Sequence, residues 1–276
     1  MKKILVYIVV LGMCIPFYSQ EKPDLSFEFI TVPAGEFTWG QNDDTLTIAY
    51  DYQIMKYEVT NAEYLGYLQK ALKQNKITIL GDNKVEGMYE GDSRVEAGNY
   101  MYLDMSSSDG HIHYVDGQFV IDAGYESHPV VEVTWFGANA FARFYNCRLP
   151  TEQEWEKSAR GKTGFDFPWG NKSNSRRANY FDSGDPFDNG TTPIGFFNGK
   201  TYNGFQTINS PSVYGAYDLA GNVWEWTHSF YSKSTQHRVI RGGSWGYSTY
   251  CLPSWVRFNG YPFFGSQVGF RLAKVK

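Results

Sequence analysis

The chain has 276 residues, a formal net charge of −4, 18% aromatic and 20% charged residues, and 28 glycines. That length supplies a core without disulfide staples, and the mild acidity leaves no electrostatic footprint for nucleic acid. The aromatic, glycine-rich composition excludes a helical bundle and a disordered chain. The first twenty residues, MKKILVYIVVLGMCIPFYSQ, read as an export signal. Lys2 and Lys3 supply the positive end, and Ile4 to Ile15 an apolar core too short to span a membrane comfortably. A lipoprotein reading with acylation of Cys14 ranks second, because Met13 stands where a small residue is wanted. Without Cys14 the mature chain keeps Cys147 and Cys251, enough for one bridge at most.

No linker interrupts the rest, so a single domain is expected from Phe27 to Lys276, after a signal peptide over residues 1–20. Three stretches carry helix signals. In TNAEYLGYLQKAL, Thr60 is followed three residues later by Glu63, a capping box. From Trp135 to Tyr145, WFGANAFARFY repeats apolar residues at helical spacing. PTEQEWEKSARG holds a second box, Thr151 with Glu154, and Gly161 as a stop. Short runs such as HPVVEVTW and GGSW are expected to be strands. Between these lie long Gly-, Asn- and Asp-rich loops, above all Asn171 to Tyr214. Loops of that length inside a domain usually carry function, ions or both.

The order of motifs resembles the formylglycine-generating enzyme, or sulfatase-modifying factor, family. TVPAGEFTWG (31–40) is similar to its opening strand and KYEVTNAEYLGYL to its first helix. HPVVEVTWFGANAFARFYNCRLPTEQEWEKSARG matches its second and third helices. FPWGN, YGAYDLAGNVWEWT, RGGSW and VGFRLA follow in order. The resemblance implies an α+β class: a compact, loop-rich formylglycine-generating-enzyme fold, a variant of the C-type lectin fold. Against it, Asp82 to Glu126 and Asn198 to Ser212 read as insertions.

In that family two cysteines after the GGS motif bind copper together, a soft two-thiolate site suited to Cu(I). Here Gly246 and Tyr247 occupy the region of the first cysteine, and Cys251 lies one residue short of the second. Cys147 precedes RLPTE, on another part of the motif map. Ala142, Ala159 and Leu272 stand where the family has structural cysteines, and Gln267 replaces the polar residue, often asparagine, before GFR. One thiol cannot form the copper site, so no catalytic residue is assigned and Cys251 is expected to pack as a small hydrophobe.

The family's calcium positions are better kept. The resemblance implies one ion held by the Asp218 and Glu225 carboxylates with the Gly221 and Val223 carbonyls. A second would use Asn179 and Asp185 side chains with Tyr180 and Phe187 carbonyls. Asp182 and Asp188 compete with these, and the spacing holds one extra residue. Carboxylates mixed with backbone oxygens suit Ca²⁺. The competing reading is a set of turns, which favour Asp, Asn and Gly for their own reasons. Either ion would be structural.

Weaker signals complete the survey. His111 and His113 share the alternate spacing of a zinc half-site with no third ligand evident, and an exposed strand pair is the preferred reading. Trp224, Trp226, Trp245 and Trp255 are a potential groove for sugar or peptide, with core packing preferred. Asn171 and Asn189 sit in glycosylation triplets. The favoured function is an exported, non-catalytic, calcium-stabilised binding or envelope-assembly module. It would act in the periplasm, at the cell envelope or outside the cell, on an unknown protein or glycan partner, with no transmembrane span in the mature chain and no nucleic-acid partner. The alternative is a copper-dependent oxidase that converts a sulfatase cysteine to formylglycine.

Overall fold

Thr60, Thr134 and Thr151 each hold an extended backbone and open a helix by accepting an N–H from the residue three positions on. The computed structural model describes residues 27–276 apart from Asp82 and Asp188; the export signal and Cys14 lie outside the described residues. The helices are α1 (Asn61–Lys73), α2 (Trp135–Phe144) and α3 (Glu152–Arg160), and α1 and α3 carry complete capping boxes. Gly161 ends α3 at φ 52°. The periodic apolar faces meet in the core. Tyr64 and Tyr67 of α1 pack on Phe141 of α2, whose ring also lies 5.3 Å from that of Phe270.

The chain ends close on the beginning. Phe29–Val32, Tyr52–Met55 and Ala273–Val275 form an antiparallel sheet with the middle strand central, Phe29 opposite Met55 and Ala273 opposite Ile54. A four-stranded sheet runs Arg257–Gly260, Arg238–Arg241, Trp224–Phe230, Val268–Gly269, with only the last pair parallel. α3 packs over its two central strands, and the charges along α3 are absorbed there: Glu156 pairs with Arg241 and Arg160, and Glu152 with Arg257.

The segment from Asp82 to Glu126 carries an unexpected amount of sheet. Ile77–Leu80, Lys84–Tyr89 and Gly98–Asp104 form an antiparallel meander, and Ile112–Val115 pairs with Gln118–Ile121 as a hairpin. The meander lies against α2 at Gly137, where a Cβ would stand 2.2 Å from the Tyr102 carbonyl oxygen. Only glycine permits that approach.

Two strand expectations fail. HPVVEVTW makes only isolated bridges, at Pro129 and Val133, because Pro129 cannot donate and Glu132 turns the chain at φ 59°. GGSW is a turn, with Gly242 and Gly243 at φ 98° and 81°. Among the described residues, Asn171 to Tyr214 is a long loop, relieved only by the small hairpin Thr201–Tyr202 with Phe205–Gln206.

Candidate functional site

The loop between Tyr214 and Val223 turns through four residues of positive φ, Gly215 (93°), Asp218 (58°), Gly221 (81°) and Asn222 (62°). Asp, Asn and Gly are the residues that enter this region at least cost. The bends bring two distant segments together. A Cβ on Gly221 would lie 2.1 Å from the Asn179 carbonyl oxygen, which accepts the Asn222 N–H at 2.8 Å. The Asn222 side chain accepts the Thr192 N–H at 2.9 Å and donates to Glu58 at 2.9 Å. Its carbonyl accepts from Trp245, so one residue ties four segments.

Glu58 is the residue the sequence reading missed. It is fully buried, and its second carboxylate oxygen has no hydrogen-bond partner. Burial pushes its pKa well above the ordinary value, Asp218 and Glu225 add to the rise, and Arg271 opposes it. Asp218 accepts the Gly195 N–H at 2.6 Å. Its pKa is pushed up to about 6, mainly by burial, against the Gly195 bond and Arg271. The signal lay in the sequence: a glutamate between Tyr57 and Val59, and an arginine between Phe270 and Leu272, are charges embedded in apolar runs.

Glu225 is committed elsewhere. Its two oxygens accept from Arg271 at 2.7 and 2.6 Å, and Trp155 Nε1 donates to one of them at 2.8 Å. The arrangement is a buried, bidentate, fully satisfied pair. Glu58, Asp218 and Glu225 therefore share one guanidinium, and ionisation of all three leaves this pocket short of positive charge. The deficit falls on Glu58 and Asp218, the carboxylates that a hard cation would have to use here, and the Gly221 and Val223 carbonyls are the backbone oxygens nearest to Asp218 among those expected from the sequence. Among the described residues, no three His, Cys, Asp or Glu side chains are grouped to hold a metal ion. An ion here would lean on backbone oxygens and two carboxylates.

The second expected set is engaged in its own turns. Asp185 accepts from Ser183 and from the Phe187 N–H, the Tyr180 carbonyl accepts from Ser183, and the Phe187 carbonyl from Gly190. The Asn179 amide donates to the Gly190 carbonyl. Asp182 stands exposed at φ 62°, and Asp188 lies outside the described residues.

Around the GGS turn no thiol pair forms. Cys251 sits in a single 3-10 turn (Thr249–Cys251), half-buried and free, and Cys147 is half-buried and free beyond the end of α2. Burial raises both thiols above 9.0, with Lys274 and Arg148 opposing at Cys147. Tyr247 instead sets its ring against Trp224, 5.5 Å between centroids, and Ser244 donates to Gln267 at 2.7 Å. Trp224, Trp226 and Trp245 are buried and Trp255 half-buried, so the tryptophans line no open groove. His111 and His113 both bond Asp122, at 3.1 Å each, a partner sequence spacing did not reveal.

Comparison with known proteins agrees with this architecture. The sulfatase-modifying factor enzyme 1-like domain matches residues 18–276. The chain is 27% identical over 274 residues to the formylglycine-generating enzyme of Bos taurus, covering 83% of this chain and 69% of that protein. It is 45% identical over 123 residues to the inactive C-alpha-formylglycine-generating enzyme 2 of Bos taurus, 42% of this chain and 38% of that protein. A 156-residue match to the serine/threonine-protein kinase Pkn1 of Chlamydia trachomatis, 36% identical, covers 50% of this chain and only 22% of the kinase. Among solved structures, PvdO from Pseudomonas aeruginosa superposes with a TM-score of 0.62 at 23% identity, over 93% of this chain and all of that one. Treponema denticola variable protein 1 gives 0.60 at 20%, covering 93% and 98%. The shared fold is the expected loop-rich α+β one, a variant of the C-type lectin fold. With the motif series, the helices and the match across the chain in agreement, the protein belongs to the sulfatase-modifying factor, or formylglycine-generating enzyme, family.

Proposed function

We propose that this chain is a non-catalytic member of its family: an exported binding or envelope-assembly module whose loops are tied down by calcium. The observation that carries the reading is the pair of half-buried, unpaired thiols, with Tyr247 rather than a cysteine after the GGS turn. A relative named as an inactive formylglycine-generating enzyme is consistent with it. Export rests on the N-terminal sequence, and no helix among the described residues is long and apolar enough to cross a membrane. Calcium would sit at Asp218 and the orphaned oxygen of Glu58, supplying the missing positive charge. The protein's own part is to hold these carboxylates rigid through Gly195 and Asn222.

The test is incubation of the mature protein with a sulfatase-type Cys-x-Pro-x-Arg peptide, with and without copper, read by mass spectrometry. The expected result is an unmodified peptide and no stoichiometric copper. Conversion of the peptide cysteine to an aldehyde would establish the oxidase reading instead.

A further inference from the structure

A cleft of about 500 Å³ lies between the C-terminal end of α1, one face of α2 and the strand Lys84–Tyr89. It is a product of the meander, which closes over the helices at Tyr102 and Met88, and it shares no residue with the carboxylate pocket. Its floor is made by buried rings, including Tyr67 and Tyr102, and its walls by Ala140 and Phe144.

Two features distinguish it from a packing defect. Tyr67 is 2% exposed, yet its hydroxyl makes no hydrogen bond among the described residues and is not among the side-chain atoms sealed from solvent without a partner. The Tyr102 hydroxyl beside it is satisfied by the Met88 carbonyl at 2.7 Å. A phenol whose donor faces only the solvent of a cleft offers that donor to an acceptor that displaces the water. The second feature is charge. Arg143 is paired with Glu90 at 2.6 Å, while Lys76 has no carboxylate partner among the described residues and holds its ammonium 4.9 Å above the Phe144 ring. The rim thus carries one uncompensated positive charge over an aromatic wall.

We propose that this cleft is a binding site for a small organic anion with an aromatic or apolar body. The body would lie against Phe144 and Ala140, the acidic group would meet Lys76, and an acceptor on the ligand would take the Tyr67 hydroxyl. Apolar walls with a few convergent polar groups are the usual make-up of small-molecule sites.

The probe is the aromatic sulfonate 8-anilinonaphthalene-1-sulfonate, followed by fluorescence and calorimetry on the mature protein. Neutral N-phenyl-1-naphthylamine serves as the uncharged comparison. Expected are one saturable site, weaker binding of the neutral probe, and competition by simple aryl carboxylates. Lys76→Glu should weaken the sulfonate roughly tenfold without weakening the neutral probe. Ala140→Trp, which fills the cleft, should abolish binding, and Tyr67→Phe should lower affinity severalfold. Tyr250→Ala, at an 87% exposed aromatic, should change nothing. If Ala140→Trp does not fold, the exposed Lys76 substitution decides. The proposal fails if the wild type shows no saturable site, if a folded Ala140→Trp binds as before, or if Lys76→Glu leaves the sulfonate affinity unchanged.

Discussion

Asp218→Asn isolates the charge in the carboxylate pocket. Asparagine keeps an oxygen for the Gly195 N–H and is at ease at φ 58°, so the substitution removes a charge without a backbone penalty. Burial moves the Asp218 carboxyl from 3.8 to about 6, which costs the folded state about 3 kcal/mol once the group is ionised. Because the folded value is the higher one, the favourable contribution is complete below pH 3.8 and is lost as pH rises through about 6. In chelator, Asp218→Asn should therefore be more stable than wild type by up to about 3 kcal/mol above pH 6, with no difference below pH 4. Calcium should nearly cancel that difference, since at a hundredfold excess over its Kd it adds about 2.7 kcal/mol to the wild type alone. The assay is urea unfolding across this pH range, with and without calcium, compared as wild type minus variant so that other titrations cancel. A difference flat with pH would refute the buried-charge argument. A wild type indifferent to chelation would refute the ion.

Other outcomes follow from the same contacts. Glu225→Gln should destabilise by about 1.5–3 kcal/mol in denaturant titration, because it removes the charge from the bidentate bonds to the buried Arg271 guanidinium and leaves only Glu58 and Asp218 to balance it. Thr151→Ala should cost about 1 kcal/mol by removing the α3 cap, measured the same way. Alkylation of Cys147 and Cys251 by iodoacetamide should stay slow at neutral pH and accelerate only above pH 9, since burial raises both thiols. Asp122→Asn should change stability by less than about 1 kcal/mol, because its bonds to His111 and His113 lie at the surface.

The sequence by itself determined the helices, their caps and the loss of the thiol pair. A capping box is complete within four residues, and an absent cysteine needs no fold to be read. The motif order gave the fold for the same reason, since each motif is a short local string. What only the tertiary structure decided are partnerships between distant residues. Asn222 reaches Glu58 across 164 positions, and Arg271 takes Glu225 across 46, so the carboxylate expected as a ligand is also half of an ion pair. Local pattern also misread HPVVEVTW, because its alternation is real but Pro129 and the turn at Glu132 leave no ladder to join. The meander from Ile77 to Asp104 was invisible for the converse reason: its strands are specified by packing on α2, through the glycine at 137 that admits the Tyr102 carbonyl. Propensity is fixed within a turn or two of chain; charge pairing and close approach are fixed by whatever the fold brings alongside.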